Sequence, residues 1–344
     1  MTHPKETQGK SDQISVVGVN LERRALIANI ALAASCPGIA LAADDFPNKP
    51  IRLVAPFAAG SGIDLAARRI QNFISQDLGQ SVIIENRVGA GGSLGTSYVA
   101  KAKPDGYTLL VVTAGTYIIN KVLYKSLGYD PLTDFEPITR FSAFPSMLVV
   151  RKSLAVKSVR DLINLAKNSK EPLTYGSAGN GSIPHLEGAL FKRAVSADLT
   201  HIPYQSQGAA LTDVVAERLD LMFVGVPQAQ PFLSTDKLRA LAINYPSRSK
   251  LFPDLPTFSD AGVQGMEKPA FVAIFAPANT PKYAKDKIFR AIKMAMNDPG
   301  IVASFEADGS RIVVDQSVES CKEVMETEYR RWLPIIRDLG MSVT

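Results

Sequence analysis

Short apolar runs alternate with amphipathic segments along most of this 344-residue chain. The first run, residues 51–55, ends in a turn rich in Pro and Gly, which is typical of a buried parallel strand. Apolar residues at helical spacing then follow from Ala66 to Leu78, and Gly79 stands where a helix C-cap belongs. Further strand-like runs lie at 82–84, 107–112, 147–150, 173–175, 199–202, 221–224 and 238–243. This alternation predicts parallel sheets that are covered by helices on both faces.

Capping signals mark the beginnings of several of the intervening helices. Ser158 and Asp161 have the spacing of a capping box, and Thr280 followed by Pro281 is typical of an N-cap with a first-turn proline. The last helix is predicted to open at Ser317 and to carry a single apolar stripe. In sheets of this class, ligands bind in the loops that follow the carboxyl ends of the strands, so we expect a site there.

The amino terminus has a different pattern from the rest of the chain. Two arginines, Arg23 and Arg24, precede a short Ala-rich run and an A-x-A triplet that ends at Ala42. These are the parts of a secretory signal peptide, so we expect residues 1–42 to be removed and the protein to be periplasmic. A membrane span needs about 20 apolar residues, and Asn29 interrupts this run sooner.

Two features of the segment leave its export open. The paired arginines are compatible with both the general secretory and the twin-arginine route. Cys36 leaves open a lipid-anchored form, although the residues before it match a lipoprotein cleavage site poorly.

The composition is that of an ordinary globular protein, with 46% hydrophobic and 21% charged residues, and the length is typical of two domains. The net charge is +5, but acidic and basic residues are interleaved and no block of five like charges occurs. A nucleic-acid-binding protein usually gathers its basic residues into a patch or stripe. The sequence therefore predicts no nucleic-acid partner.

Removal of residues 1–42 leaves one cysteine, Cys321, and two histidines, His185 and His201. One cysteine cannot form an internal disulfide, and the three or four ligands of a zinc site are hard to assemble from these residues. We therefore expect no disulfide, no metal and no cofactor. Cys321 lies on the apolar stripe of the last predicted helix, which favours a role in the core.

Three Gly-rich segments are the candidates for binding chemistry. In residues 55–64 and 175–185, a strand leads through glycines into a helix, and exposed N–H groups at a helix N-terminus form an anion site without Arg or Lys. The alternatives are a tight turn in which Asp64 is an ordinary first-turn acid, and a purely structural His185. Residues 86–95 lack the G-x-G-x-x-G spacing, so we interpret them as a helix-opening turn and not as a nucleotide loop.

No nucleophile stands in the sequence context that activates it. The chain has no G-x-S-x-G elbow, and none of its pairs of acidic residues is marked by spacing as catalytic. Two anion-binding loops without a catalytic set favour binding over turnover. The sequence therefore predicts a protein that is not an enzyme.

Ordered motifs along the chain carry a family resemblance. They are Pro56-Phe57-x-x-Gly60-x-x-x-Asp64, Glu85-Asn86-Arg87, Gly89-Ala90-Gly91-Gly92, Lys103-Pro104-Asp105-Gly106-Tyr107-Thr108-Leu109, Asp130-Pro131, Asp134-Phe135, Tyr175-Gly176-Ser177-Ala178-Gly179-Asn180-Gly181-Ser182, His185-Leu186, His201-Ile202-Pro203-Tyr204, Ala209-Ala210-Leu211-Thr212-Asp213, Asp220-Leu221-Met222-Phe223, Lys237-Leu238-Arg239-Ala240-Leu241-Ala242 and Pro253-x-x-Pro256-Thr257. By these motifs the chain resembles the Bug-type periplasmic solute receptors, also called tripartite tricarboxylate transporter substrate-binding proteins. The resemblance runs from about Pro47 to Met341.

The resemblance implies an α/β fold of the type II periplasmic-binding class, a two-lobed Venus flytrap. Each lobe would be a mainly parallel sheet flanked by helices. The implied first lobe comprises residues 43–147 and 271–344, and the implied second lobe comprises residues 148–270. The lobes would close on a small carboxylate.

The resemblance also implies a set of ligand-binding residues on two facing loops. Family members hold the ligand carboxylate with main-chain and hydroxyl groups, often through ordered water. In the first lobe the matching positions are Phe57, Gly60, Ser61, Asp64, Thr113 and Thr116. In the second lobe they are Ser177, Asn180, Gly181, Ser182 and Tyr204.

Three departures from the family pattern bear on the ligand. Ser61 stands where a second glycine is usual, and Tyr117 replaces a common histidine. Val224 and Gly225 replace a usual Asp-Asn pair. A cleft that loses an acid and gains an aromatic ring favours an aromatic or otherwise apolar carboxylate.

The implied partners are a small carboxylate and the membrane components of a tripartite tricarboxylate transporter, with the receptor itself a monomer. Two other classes stay open on the sequence. One is a ligand sensor that signals to a membrane regulator, and the other is an enzyme on a similar two-lobed scaffold. An enzyme would need a reactive group in the cleft, and the sequence offers no candidate for it.

Overall fold

The computed structural model of the chain describes residue 1 and residues 46–124, 127–267 and 269–338. Except for Met1, the predicted signal peptide lies outside the described residues, and so does Cys36. Within the helices, the side chains of seven residues are also outside the description, namely Ala114, Gly115, Thr116, Ile118, Val122, Arg331 and Ile335. No helix in the described part of the chain is long and apolar enough to cross a membrane.

Strands and helices alternate along the described chain. The strands are β1 (Ile51–Ala55), β2 (Val82–Asn86), β3 (Thr108–Thr113), β4 (Phe135–Phe144), β5 (Ser146–Arg151), β6 (Leu173–Ser177), β7 (Leu199–Pro203), β8 (Leu221–Gly225), β9 (Leu238–Ile243), β10 (Ala270–Pro277) and β11 (Arg311–Ile312). The helices are α1 (Gly62–Leu78), α2 (Ser93–Ala100), α3 (Ala114–Leu123), α4 (Val159–Asn168), α5 (Ile183–Val195), α6 (Gln207–Val215), α7 (Val226–Ser234), α8 (Lys282–Ala295), α9 (Pro299–Glu306) and α10 (Val318–Asp338). A short 3-10 turn, Ala90–Gly92, precedes α2.

The strands form two sheets. The first has the order β11-β4-β10-β3-β1-β2, and the second has the order β7-β6-β8-β5-β9. The predicted parallel pairing is confirmed for β1 with β2 and β3, and for β6 with β7 and β8. Both sheets are nevertheless mixed, because β10 and β4 run antiparallel in the first sheet and β5 runs antiparallel to β8 and β9 in the second.

The chain passes between the sheets twice. Only Pro145 separates β4 from β5, so no crossover helix forms there and β5 enters the second sheet antiparallel to its neighbours. The return runs through residues 244–269, between β9 and β10. We call the part built on the first sheet the first lobe and the part built on the second sheet the second lobe. The residue boundaries expected from the sequence fall inside β5 and β10 and remain a prediction.

Helices cover both faces of each sheet, as the sequence predicts. Leu53 of β1 packs into one buried cluster with α1 and α8, and its neighbour Val54 packs into another cluster with α10 on the opposite face. The second sheet alternates in the same way, with Leu148 on one face and Met147 on the other. Because successive strand residues point to opposite faces, each sheet is the centre of a three-layer lobe.

The predicted helix ends are largely confirmed. Gly79 has the left-handed conformation of a C-cap, with φ 66°, and Ser158 accepts a hydrogen bond from the N–H of Asp161. The start of α8 is an exception, because Pro281 is the N-cap and the Thr280 hydroxyl donates to the Pro277 carbonyl instead. Cys321 is fully buried on α10, which confirms its predicted place in the core.

Candidate ligand-binding cleft

A cavity of about 380 Å³ lies between the two lobes. Its volume is within the range of small-molecule pockets. The first lobe contributes the β1–α1 loop, the end of β3 and the end of β4, and the second lobe contributes the starts of four elements. The lining residues used below are Phe57, Gly60, Ser61, Gly62, Ile63, Thr113, Phe144, Ser146, Ser182, Ile183, Ser206, Gln207, Gly208, Leu211, Gln228 and Phe232.

Four helices begin at this cavity. They are α1, α5, α6 and α7, which follow the carboxyl ends of β1, β6, β7 and β8. The N–H groups of Gly62 and Ile63 in the first turn of α1 have no acceptor among the described residues. A helix N-terminus carries about half a positive charge, so the cavity favours an anion.

Two serine hydroxyls add donors at these helix starts. The Ser61 oxygen accepts from the N–H of Asp64, and the Ser206 oxygen accepts from the N–H of Ala209. Each hydroxyl therefore keeps its own proton to donate into the cavity. Ser182, at the start of α5, instead donates its proton to the Gly179 carbonyl and has lone pairs left to accept.

Apart from Thr113, Ser146, Gln207 and Gln228, the rest of the cavity wall is apolar. Phe57, Phe144 and Phe232 line it, together with aliphatic and proline side chains. None of the described residues that line the cavity is charged. An anion in this cavity would therefore be held by N–H groups and hydroxyls, and its remaining surface would contact apolar side chains.

Gln228 bridges the two lobes at the cavity. Its side-chain amide, on α7, donates to the Gly60 carbonyl in the first lobe with an N···O distance of 3.3 Å. A carbonyl oxygen only accepts, so the orientation of the amide is fixed by its partner. The amide oxygen of Gln228 is buried and has no hydrogen-bond partner in the described part of the molecule.

Asp64 holds the β1–α1 loop in place from the side away from the cavity. Its carboxylate accepts from the Gly60 N–H at 2.8 Å, from Arg68 at 2.9 Å and from Asn86 at 3.0 Å. Burial acts to raise the pKa of Asp64, but these hydrogen bonds outweigh it and the pKa is lowered. The carboxylate does not line the cavity, and it fixes the loop that does.

Two stacked histidines hold the β6–α5 loop of the second lobe in place. The rings of His185 and His201 lie 4.0 Å apart. His201 Nε2 is 2.6 Å from the Ser177 hydroxyl, and His185 Nδ1 accepts from the Gly181 N–H at 3.1 Å. Burial lowers the pKa of His185 to about 4 and that of His201 to about 3, so both rings are neutral near pH 7. This arrangement supports the structural interpretation of His185.

A buried carboxyl group lies where the chain passes between the lobes. Asn244 donates to Glu187 Oε1 at 2.7 Å, and Oε2 has no partner among the described residues. Burial raises the pKa of Glu187 to about 7, although hydrogen bonds from Ser146 and Asn244 act in the opposite direction. Ser146 also lines the cavity, so Glu187 stands directly behind its wall.

The structure brings five of the eleven expected ligand-binding residues to the cavity wall. These are Phe57, Gly60, Ser61, Thr113 and Ser182. Five others do not line it, namely Asp64, Ser177, Asn180, Gly181 and Tyr204. Thr116 belongs to α3, and its side chain is outside the description.

The residues away from the wall have partners of their own. Ser177 is fully buried, and the Gly181 N–H is bonded to His185. The Tyr204 hydroxyl donates to Asp213 at 2.7 Å; burial and this carboxylate raise the pKa of Tyr204 to about 12. The carbonyl of Asn180 accepts from a tyrosine of the first lobe. These residues shape the loops or join the lobes.

Two of the departures noted in the sequence do not face the cavity. Tyr117 is buried in the first-lobe core and stacks on Phe275 at 4.4 Å. Val224 is fully buried beneath the second sheet. The expectation that they bear directly on the ligand is therefore corrected, because both side chains pack into the core.

Sequence reasoning missed several residues of the wall. Ser206, Gln207 and Gly208 follow β7, so the rule that places sites at strand ends would have found them. Phe232 and Gln228 lie on α7, whose lining face depends on the angle at which that helix leaves β8. No motif in the sequence predicts that angle.

A two-lobed α/β molecule with an interlobe cavity at its strand ends has the fold of the periplasmic binding proteins. Residues 66–341 match the family model described as the tripartite tricarboxylate transporter family receptor, TctC. The chain belongs to this family. Members are binding proteins, so the chain is a solute-binding protein and not an enzyme.

Three solved structures are similar over nearly their whole length. The periplasmic binding protein BugD has a TM-score of 0.82 at 29% identity, covering 87% of this chain and 100% of that chain. Rpa4515 of R. palustris, solved with adipate, has a TM-score of 0.82 at 32% identity, with coverages of 87% and 100%. MatC of Rhodopseudomonas palustris, with bound malate, has a TM-score of 0.80 at 30% identity, with coverages of 85% and 100%.

Proposed function

We propose that this receptor binds a small monocarboxylate with an apolar, preferably aromatic, body. It works in the periplasm after removal of residues 1–42 and delivers the ligand to the membrane components of a tripartite tricarboxylate transporter. The observation that carries the proposal is the cavity itself, in which four helix N-termini meet a wall without a charged residue among those described.

One carboxylate is accounted for by this geometry. The N–H groups at the start of α1, with the hydroxyls of Ser61 and Ser206, supply donors for a negative oxygen without a basic side chain. Thr113 and Ser182 line the same cavity and provide two further hydroxyl groups near the ligand. This is the part of the site that the similar adipate and malate receptors lead us to expect.

A second carboxylate is not favoured. Burying an unpaired charge against apolar side chains costs roughly several kcal/mol, even after the surrounding protein has relaxed. Phe57, Phe144 and Phe232 give the cavity aromatic surface, and aromatic pairs add about 0.5–1.5 kcal/mol beyond area burial. We therefore expect this receptor to prefer benzoate-like acids over the dicarboxylates of its relatives.

Isothermal titration calorimetry on the purified receptor tests this preference. We expect benzoate to bind at least tenfold more tightly than adipate or malate. Tighter binding of either dicarboxylate would contradict the proposed ligand class, and release of a chemically altered ligand would contradict a pure binding role. A deletion strain separates transport from sensing, because loss of benzoate uptake supports delivery to a transporter, whereas intact uptake with lost gene induction supports a sensor.

The export step is tested independently. Mass spectrometry of the protein recovered from the periplasm should show a chain that begins at Ala43. Recovery of a cytosolic chain that retains Met1 would contradict the proposed localisation.

A further inference from the structure

The Gly-rich turn of the first lobe lies against the β6–α5 loop of the second lobe. This turn is Gly89–Gly92, the part of residues 86–95 that the sequence suggests only opens a helix. A Cβ atom at Gly91 would overlap the carbonyl oxygen of Asn180. A Cβ at Gly181 would overlap the side-chain oxygen of Asn120 in α3. At Gly91 the two lobes therefore touch backbone to backbone, and at Gly181 the second-lobe backbone touches the Asn120 side chain. Neither glycine has room for a side chain.

Hydrogen bonds surround this contact. The Tyr124 hydroxyl lies 3.0 Å from the Ala90 carbonyl in its own lobe and 3.3 Å from the Asn180 carbonyl in the other. Asn120 donates to the Gly91 carbonyl at 3.3 Å, and this bond fixes the turn that meets the second lobe. The contact is thus held in place from the first lobe and reaches the second lobe through main-chain atoms.

The contact is separate from the ligand cavity. Neither Gly91 nor Gly181 is among the residues that line the cavity, and Asn120 and Tyr124 do not line it either. The wall residues come from both lobes, so the cavity has its observed form only when the lobes are this close. A change at Gly91 therefore alters closure without altering any group that a ligand would touch.

We propose that Gly91 and Gly181 are closure-permitting positions, and that the interlobe contacts at these two glycines set ligand affinity from outside the cavity. The proposal rests on the proposed binding function and adds to it a regulating contact. A ligand that touches both lobes binds the closed arrangement, so its apparent affinity falls in proportion to the closed fraction. A methyl group at position 91 excludes the arrangement described here and lowers that fraction.

The test compares Gly91→Ala with Gly79→Ala. Both glycines have left-handed conformations, with φ +59° and +66°, so alanine is strained at both. At Gly79, the C-cap of α1, a Cβ would meet nothing within 4 Å. The control therefore reproduces the backbone strain without the collision. We expect Gly91→Ala to weaken benzoate binding at least tenfold in calorimetry and Gly79→Ala to leave it within twofold.

Small-angle X-ray scattering provides a measurement that needs no ligand. We expect Gly91→Ala to have a larger radius of gyration than Gly79→Ala, both alone and with benzoate. Tyr124→Phe removes the hydroxyl that contacts the Ala90 and Asn180 carbonyls but adds no atom to the contact, and we expect it to weaken benzoate binding less than Gly91→Ala does. This variant also serves if Gly91→Ala fails to fold.

The outcomes separate the two proposals. Wild-type affinity in Gly91→Ala, or scattering curves of the two glycine variants that superimpose, overturns the closure contact whatever the ligand is. Failure of the wild type to bind benzoate, with scattering that still differs between the variants, overturns the ligand class and leaves the closure contact supported. Should only Tyr124→Phe fold, unchanged benzoate affinity and unchanged scattering in that variant overturn the closure contact.

Discussion

Asp64 and Asp161 occupy equivalent positions at two helix starts. A variant at each position therefore distinguishes an effect on ligand binding from an effect on the helix start alone. The N–H of Asp64 lies 3.4 Å from the Ser61 hydroxyl, and the N–H of Asp161 lies 3.1 Å from the Ser158 hydroxyl. Each carboxylate also accepts from the main-chain N–H that precedes its N-cap. Only the first of these helix starts lies at the cavity, and only Asp64 is buried there.

We expect Asp64→Asn to weaken benzoate binding about tenfold, which is about 1.4 kcal/mol, because the Gly60 loop loses its anchor. The amide keeps the shape of the carboxylate, but its NH₂ group accepts no hydrogen bond, so its one oxygen cannot replace both carboxylate oxygens toward Gly60, Arg68 and Asn86. The control, Asp161→Asn, changes the equivalent position at a helix start away from the cavity, so it should leave affinity unchanged. Equal affinities for the two variants in calorimetry would contradict the role of Asp64.

At the residue scale, the sequence predicts which residues lie near the site better than it predicts whether their side chains face the cavity or the core. Ser61 and Ser182 could be predicted as cavity residues because each precedes a helix at the carboxyl end of a strand. Tyr117 and Val224 could not be placed, because whether a residue near a strand end faces the cavity or the core depends on the packing of the neighbouring helix.

Helix α5 carries two titratable groups whose effects on stability oppose each other. His185 has a pKa lowered to about 4 by burial, so acid protonates the unfolded chain first and stability falls as the pH drops from about 6.5 towards 4. Glu187 has a pKa raised to about 7, so its contribution is complete below the unfolded pKa of about 4.5 and is lost as the pH rises through 7.

Single substitutions on α5 should therefore change the pH dependence in opposite directions. His185→Asn retains an acceptor for the Gly181 N–H without a titrating ring, and it should raise the free energy of unfolding at pH 5, relative to that at pH 7, by roughly 1–2 kcal/mol. Glu187→Gln should lower the same difference by a similar amount, which destabilises the protein at pH 5 relative to pH 7. Urea unfolding followed by circular dichroism measures both, and parallel pH profiles for the two variants would contradict the assignment.

At the scale of elements, the sequence predicts the βαβ units and misses β4 and β10. Runs such as residues 51–55 and 238–243 are predicted with the bounds that the structure has. β4 contains a proline and two charged residues, which weakens its strand signal, and its partners lie far along the chain. β10 has a clear apolar run, but it pairs antiparallel because the chain re-enters the first lobe there.

At the scale of the whole molecule, ligand binding and folding are linked equilibria. A ligand that contacts both lobes stabilises the folded state through its affinity for the closed form. The β1–α1 loop of the first lobe contributes Gly60, whose carbonyl accepts from Gln228 of the second lobe. Cavity, loop and interlobe bond therefore meet at one position, and a change there affects the ligand-bound molecule more than the free one.

Gly60 and Gly262 allow this coupling to be measured. Both have φ +79°, and a Cβ at either would meet nothing within 4 Å, but only Gly60 lines the cavity. Alanine in a left-handed conformation costs about 1–2 kcal/mol, so Gly60→Ala and Gly262→Ala should lower the melting temperature of the free protein alike. Benzoate at about 100 times its dissociation constant should add roughly 2.7 kcal/mol to the wild type and to Gly262→Ala, a rise of several degrees. Gly60→Ala adds a methyl group to a residue of the cavity wall, and we expect the rise to be at least halved in this variant. Equal thermal shifts in both variants would show that the ligand does not reach the β1–α1 loop.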